Sequence, residues 1–122
     1  MNNDVGRGFS TIPWLLQRIS AVVLVFLLIV HFWVGHYANL GTPITFADVH
    51  MRLQNAVVVI IDSMLLISVV FHGLNGVRNI ILDYPSILPH NRSISLILLI
   101  IGIATVIFGI YSLYPFITGA GR

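Results

Sequence analysis

The sequence predicts an all-α integral membrane protein with three transmembrane helices, on the evidence of its composition and its hydropathy pattern. Of its 122 residues, 57% are hydrophobic and only 8% are charged, whereas ordinary soluble domains carry about 25% charged residues. Three stretches of the chain are mostly apolar over about 20 residues or more, the length that a helix needs to cross roughly 30 Å of hydrocarbon. Apolar and polar residues do not alternate within them, so we expect helices rather than strands of a barrel.

The charged residues are six arginines and four aspartates, and the chain contains no cysteine. So few charges cannot cover the surface of a soluble domain, and they exclude a disordered chain and a nucleic-acid binder with a basic face. Without cysteine there is no disulfide, no Cys-ligated iron–sulfur cluster and no thiol nucleophile in this chain. We therefore predict a single integral membrane domain over residues 1–122.

The three predicted spans are bounded by residues that favour or break helices. Pro13 suits the first turn of a helix, Pro85 disfavours helix at the residue before it, and Ser93 is a candidate N-cap. The first span is too long for the apolar region of a signal peptide, so we expect it to be retained. The spans are predicted at about 13–37, 56–84 and 93–113.

The arginines are distributed unequally between the two ends of the spans. The end that holds the N-terminal tail and the second loop carries four of them, and the other end carries Arg52 and Arg122. The positive-inside rule then predicts a cytoplasmic N-terminus and an external C-terminus. We expect the protein to be integral to the inner (cytoplasmic) membrane of the cell. The four arginines on the predicted cytoplasmic side are Arg7, Arg18, Arg78 and Arg92.

Polar side chains lie inside the predicted spans, where lipid cannot satisfy them. Such residues usually face the interior of a helix bundle or a partner protein. Three helices of this size form a poor free-standing unit, so we expect the chain to pack against a partner membrane subunit. For Asp62 we expect a hydrogen bond to a neighbouring helix. The polar residues concerned are His31, Asp62, His72, Asn75 and Asn79.

The second span carries a polar stripe that begins at His72. At 100° per residue, Gly76, Asn79 and Asp83 fall within about 60° of this histidine. A buried imidazole is a natural axial ligand for haem iron, and Gly76 removes a side chain where the flat macrocycle would lie. Tyr84 ends the stripe, where its hydroxyl could bond a quinone carbonyl. The alternative is a structural histidine bonded to a neighbouring helix, with Gly76 as a packing contact, and these residues leave both interpretations open.

The first span repeats this arrangement, because Gly35 follows His31 by four residues. Ser20 shares their helix face. His31 and His72 lie on adjacent antiparallel spans, where they could serve one haem as a pair or two haems separately. Arg18 could reach lipid phosphate, or it could supply a cation near haem propionates or a quinone. The remaining histidines are expected near the membrane surface or in loops: His36, His50 and His90.

Several sequence features resemble the small membrane-anchor subunits of succinate dehydrogenase (succinate:quinone oxidoreductase, complex II), of the cytochrome b type. The resemblance covers nearly the whole length and includes a third apolar span. Its most specific part is the string His72-x3-Gly76-x6-Asp83-Tyr84 in the second span. The other matching segments are Leu16-Gln17-Arg18-Ile-Ser20-Ala21 and the loop Gly41-Thr-Pro-Ile-Thr-Phe46.

The resemblance implies a haem b ligated by His72 and held between this chain and a second membrane-anchor subunit. It also implies that Asp83 and Tyr84 lie at a quinone site beside the iron–sulfur subunit, with the tyrosine hydroxyl bonding the quinone. Arg18 would lie near that cytoplasmic region, with Ser20 as a further candidate for the pocket wall. Flavin and clusters belong to the peripheral flavoprotein and iron–sulfur subunits, so the chain alone is not expected to oxidise succinate.

His31 departs from the single-haem members of that family, which need no histidine in the first span. Two-haem members use one for a haem nearer the outer face, at an interval similar to the 41 residues between His31 and His72. We therefore expect two haems, with Gly35 beside the outer one and His36 as the alternative ligand. The competing functions are a fumarate reductase anchor and a haem-free structural anchor. A transporter is disfavoured because the polar residues line no continuous path.

Overall fold

The structure is a computed structural model that describes residues 11–37 and 41–118, and α-helices make up most of it. Within those two ranges there is no strand, which confirms the all-α prediction. A short 3₁₀ turn, Leu88–His90, precedes the last helix. The predicted orientation also used Arg7 and Arg122, which lie outside the described residues. The helices are α1 (Thr11–His36), α2 (Phe46–Leu53), α3 (Ala56–Leu82) and α4 (Asn91–Thr118).

Three of the helical segments are long and apolar enough to cross a membrane: Ile12–His36, Ala56–Leu82 and Leu88–Thr118. Among the described residues only Ser20 and Leu27 are buried, with 9% and 6% of their surface exposed. Many of the large apolar side chains are exposed, as they are when lipid or another protein covers them. The chain is therefore an integral membrane protein whose outer surface is mostly apolar.

The helix α3 packs along both α1 and α4. Glycines of α4 allow the second contact, because a Cβ added to Gly102 would lie 2.9 Å from Leu74 Cδ1. One added to Gly109 would collide with Leu66. Small residues of this kind bring membrane helices close together. The opposite side of α3 is thus left to face α1. We call the end where α3 finishes the Tyr84 end, and the opposite end, which carries α2, the Arg52 end.

The second predicted span ends two residues earlier than expected. Asp83 is the C-cap of α3, with φ −67° and ψ −18°, and Tyr84 lies in the turn that follows. Pro85 accounts for the difference, because proline disfavours helical geometry at the residue before it. Tyr84 is consequently presented from a turn at the membrane surface rather than from the side of a helix.

The third span is longer at both ends than predicted. Ser93 lies inside α4 rather than at its cap, because the helix begins two residues earlier at Asn91. At the other end α4 continues through Pro115 to Thr118. Membrane helices tolerate proline because nearby groups re-satisfy the backbone. Pro115 therefore does not end the span.

The sequence did not predict α2, which lies between the first two spans. Its N-terminus is a capping box in which Thr45 Oγ1 accepts from the Asp48 N–H at 3.3 Å, and Asp48 Oδ2 accepts from the Thr45 N–H at 2.8 Å. Reciprocal bonds of this type start helices. His50 was expected in a loop and instead lies on α2. Hydrogen bonds from the Thr45 side chain and backbone hold the pKa of the Asp48 carboxyl below its ordinary value.

Candidate functional site

His72 lies half-buried between α3 and α1, with its Nδ1 atom 3.0 Å from Ser20 Oγ. The Ser20 hydroxyl also donates to the Gln17 carbonyl at 3.0 Å. A hydroxyl has one proton, so Ser20 must accept a hydrogen bond from His72 Nδ1–H. This assigns the ring proton to Nδ1 and leaves a lone pair on Nε2, the state in which a histidine ligates a metal.

Gln17 is the second residue of α1 that contacts His72. Its amide nitrogen donates to the His72 carbonyl at 3.2 Å and lies 3.5 Å from His72 Nε2. Its amide oxygen accepts from Asn75 Nδ2 at 2.6 Å. The 3.5 Å separation is at the outer limit for a hydrogen bond, so Nε2 is only weakly engaged. Gln17 was not predicted as a site residue, although it lies three positions before Ser20 on one helix face.

The space beside Gly76 lies next to the same glutamine. A Cβ added at Gly76 would be 3.6 Å from the Gln17 amide nitrogen, an ordinary contact distance. Gly76 therefore leaves room on α3 one turn after His72, without being required by close packing within this chain.

His31 forms a second pair between α1 and α3, with Asp62. Its Nδ1 atom lies 2.7 Å from Asp62 Oδ1, which confirms the expected bond from Asp62 to a neighbouring helix. A carboxylate accepts, so the histidine donates from Nδ1, and a neutral ring in this position has its lone pair on Nε2. The His31 side chain is 47% exposed and that of Asp62 is 21% exposed.

His31 and His72 lie at different depths in the bundle. Ser20, the partner of His72, is eleven residues before His31 on α1, which corresponds to about 16 Å along a helix axis. Two axial ligands of one iron must lie within a few ångströms of each other, on its opposite faces. The two histidines cannot therefore bind the same iron, which removes one of the alternatives left open by the sequence.

A cleft of about 200 Å³ lies beside His31 at the Arg52 end and is lined mainly by apolar side chains. Gly35 and His36 also line it, and a Cβ at Gly35 would have no neighbour within 4 Å. The Arg52 guanidinium reaches this cleft from α2 and donates through Nη1 to the Gly35 carbonyl. The cleft thus combines the imidazoles of His31 and His36, the Asp62 carboxylate, a cation and an open glycine face.

The predicted quinone-site residues are not all brought together. Asp83 donates its backbone N–H to the Asn79 carbonyl at 3.1 Å, and Tyr84 follows it with 63% of its surface exposed. Arg18 places its guanidinium 4.4 Å from the centroid of the Trp14 ring. Within the described part of the chain, no hydrogen bond joins Arg18 or Ser20 to Tyr84, and Ser20 instead contacts His72.

The described residues hold no group of three or more His, Cys, Asp or Glu side chains that could bind a bare metal ion. A haem has different requirements, because the porphyrin supplies four ligands and the protein one or two axial ones. A single histidine such as His72 can supply an axial ligand of the second kind.

Comparison with known proteins gives one family and two related chains. A family described as "Succinate dehydrogenase/Fumarate reductase transmembrane subunit" matches residues 3–111. The "Succinate dehydrogenase hydrophobic membrane anchor subunit" of Archaeoglobus fulgidus is 26% identical over 103 residues, covering 84% of this chain and 87% of the relative. The protein of the same name from Thermoplasma acidophilum is 29% identical over 94 residues, covering 76% of each chain.

Proposed function

The chain belongs to the succinate dehydrogenase/fumarate reductase transmembrane subunit family, and on that premise we propose that it is the haem b-binding and quinone-site anchor. As a membrane anchor of this family it works with partner subunits in a complex. In our proposal those partners are a second membrane anchor, an iron–sulfur subunit and a flavoprotein. The complex lies in the cell's inner membrane, with the Tyr84 end on the cytoplasmic side.

The observation that carries the haem proposal is the hydrogen bonding of His72. Ser20 accepts a hydrogen bond from Nδ1–H, so the lone pair of Nε2 is left for ligation of a haem iron. Ligating histidines usually donate their other ring N–H in this way, which fixes the tautomer and the ring orientation. Gly76 leaves space one turn further along α3. A haem b bound there would supply a one-electron redox centre inside the membrane.

His31 is the proposed ligand of a second haem near the Arg52 end. Its bond to the Asp62 carboxylate is one of the arrangements found behind metal-bound histidines. The difference in depth from His72 supports two separate haems. Gly35 would face the second macrocycle, and His36, on the same cleft, is the alternative ligand. The second axial ligand of each haem would come from the partner anchor.

The proposed quinone site is at the Tyr84 end. The tyrosine hydroxyl would donate to a quinone carbonyl, and Asp83 holds the turn that presents it. Arg18 belongs to the same end and supplies a cation near the pocket. Ser20 was a further candidate for the wall, and its contact with His72 favours a role at the haem instead. Electrons would reach the quinone from the iron–sulfur subunit.

Both named relatives are succinate dehydrogenase anchors, which supports succinate oxidation as the direction of the reaction. The family also includes fumarate reductases, so fumarate reduction is the alternative. Neither activity resides in this chain, because flavin and clusters belong to its partners.

A haem-free structural anchor is the second candidate function, and one observation favours it. The Gln17 amide lies 3.5 Å from His72 Nε2, on the atom that a haem iron would need. In this interpretation His72 and Gln17 simply join α3 to α1. The haem-binding proposal requires the glutamine side chain to turn aside, which its long, weak contact allows.

The ratio of haem b to flavin in the purified complex tests these proposals. Pyridine haemochrome spectra count the haems, and the flavin gives the number of complexes. We expect two haems per flavin. One haem would leave His72 as the ligand and assign His31 to packing, and none would favour the structural anchor.

A further inference from the structure

Arg52 has an unusual position for a cation at the end of a membrane bundle. It is half-buried, and its Nη1 atom is engaged by the Gly35 carbonyl. Its Nη2 atom is buried and has no hydrogen-bond partner among residues 11–37 and 41–118. A buried polar group without a partner costs roughly 1–3 kcal/mol, and more when it is charged. The position therefore suits a ligand that brings an acidic group.

The surroundings of Arg52 define what kind of ligand this is. The guanidinium shares the cleft with His31, which is bonded to Asp62 through Nδ1, and with the open side of Gly35. His36 and Asp62 also line the cleft, with the Asp62 carboxylate bonded to His31, and the other walls are apolar. The ligand is therefore a largely apolar molecule whose acidic group lies against Arg52. Two molecules combine these properties at a membrane surface: a haem with its propionates and an anionic lipid.

We propose that Arg52 binds a propionate carboxylate of the outer haem. This inference rests on the proposed function, because it requires His31 to ligate that haem. The presence of His31 in the same cleft favours haem over lipid, because a haem iron binds an imidazole as an axial ligand and a lipid does not. Arg52 also links the position of α2 to the haem, because the guanidinium joins α2 to the end of α1 through Gly35.

A cation next to a propionate has a measurable consequence for the iron. It offsets the negative carboxylate and so disfavours the more positive, oxidised iron. Two unit charges about 12 Å apart interact with about 1.4 kcal/mol at an effective dielectric constant near 20. Removal of Arg52 should therefore change the ratio of oxidised to reduced outer haem about tenfold at a fixed potential, or about 59 mV for one electron.

The test is a potentiometric titration of both haems in the purified complex carrying Arg52→Gln, Arg52→Lys or the control Arg92→Gln. Arg92 is exposed at the start of α4, at the Tyr84 end, and its variant loses the same charge. We expect Arg52→Gln to lower the potential of the outer haem by about 59 mV, which is tenfold in the equilibrium constant for its reduction. Arg52→Lys should restore most of this loss. The potential of the inner haem, the one proposed to be ligated by His72, should not change. The propionate modes in resonance Raman spectra should shift only in the Arg52 variants.

The outcomes separate this inference from the function on which it rests. A single haem in the wild-type complex would refute the outer haem itself. Two haems with an unchanged outer potential in Arg52→Gln would overturn the propionate contact and leave the haem proposal standing. Loss of bound anionic lipid from that variant, counted by native mass spectrometry with no change in potential, would assign Arg52 to a lipid headgroup instead.

Discussion

His72 and His31 occupy equivalent positions at the two ends of the same helix pair, yet their hydrogen-bond partners differ. Both histidines face across the contact of α1 with α3, and both are bonded through Nδ1. The partner of His72 is the neutral hydroxyl of Ser20, one of the two buried residues of the described chain. The partner of His31 is the carboxylate of Asp62, and this histidine is 47% exposed.

The comparison shows how one arrangement of helices can prepare two different redox sites. Charge-assisted hydrogen bonds are roughly twice as strong as neutral ones, so Asp62 holds its imidazole more firmly and would make it a stronger electron donor to a bound iron. A stronger donor favours oxidised iron and lowers the haem potential. The proposed contact of Arg52 acts in the opposite direction at the same end. We therefore expect the redox potential of the outer haem to depend on the opposing charges of Asp62 and Arg52, and that of the inner haem on neither.

The largest expected effect is the loss of a haem when its histidine is removed. His72→Ala should remove the inner haem and His31→Ala the outer one, because the alanine has no axial nitrogen. Reduced-minus-oxidised spectra of the purified complex measure this loss. His90→Ala is the matched control, since His90 is exposed in the 3₁₀ turn. A normal haem content in His72→Ala would contradict the assignment.

Tyr84→Phe tests the quinone site at the same end as His72. Removal of the hydroxyl should lower quinone reduction by about tenfold, the effect of losing a neutral hydrogen bond worth about 1–1.5 kcal/mol. Succinate oxidation with an artificial acceptor should stay close to wild type, because that reaction needs only the peripheral subunits. Tyr111→Phe is a control at the other end of the membrane. Equal loss of both activities would indicate failed assembly rather than a lost quinone contact.

The hydrogen-bond partners of the histidines should have smaller and unequal effects. Asp62→Asn should raise the outer haem potential and weaken haem retention by about 10- to 100-fold, the usual range for a residue that supports a metal ligand. Ser20→Ala should weaken inner haem retention by about tenfold or less, because its bond is neutral. Potentiometric titration and haem loss during dialysis measure both. A larger effect of Ser20→Ala than of Asp62→Asn would reverse the comparison.

The two glycines that follow the histidines should report whether a ligand occupies the space beside them. Within the chain itself an alanine is accommodated at both Gly35 and Gly76, and alanine favours a helix over glycine by about 1 kcal/mol. We expect each alanine variant to keep or raise the thermal stability of the apoprotein while it lowers haem content. Gly73→Ala is the control, since its Cβ also meets nothing within 4 Å. Unchanged haem content in both variants would mean that neither glycine faces a macrocycle.

The sequence predicts the fold and the need of its intramembrane polar residues for partners, because both follow from local signals. Long apolar stretches define the spans, and a polar residue within them needs a partner wherever it lies. The bond of Asp62 to a neighbouring helix was predicted on this basis and is confirmed. The roles of these residues at a haem or a quinone remain predictions.

Two parts of the candidate site could not be predicted, for physical reasons. Gln17 reaches His72 only because α1 and α3 pack in one particular register, which hydropathy does not specify. Arg52 lies between two predicted spans, in a segment for which the sequence predicts no helix. The eight-residue helix α2 is too short to give a periodic signal. A single feature could have found it: Thr45 and Asp48 have the spacing of a capping box.

That capping box supplies the smallest expected effect, and it is confined to the Arg52 end. Because folding lowers the pKa of the Asp48 carboxyl, its stabilising bonds are fully present when the pH is above the pKa of the unfolded chain. They are lost as the pH falls below about 4. At neutral pH, Asp48→Ala removes them outright and should loosen α2. Trypsin should then cleave after Arg52 a few-fold faster, because cleavage requires local opening of the helix. Ser86→Ala, in the turn at the Tyr84 end, is the control.

The same Asp48→Ala variant should also affect the outer haem, because α2 positions Arg52. The potential of the outer haem should fall slightly while that of the inner haem stays constant. Equal shifts at both haems would show that α2 has no local role.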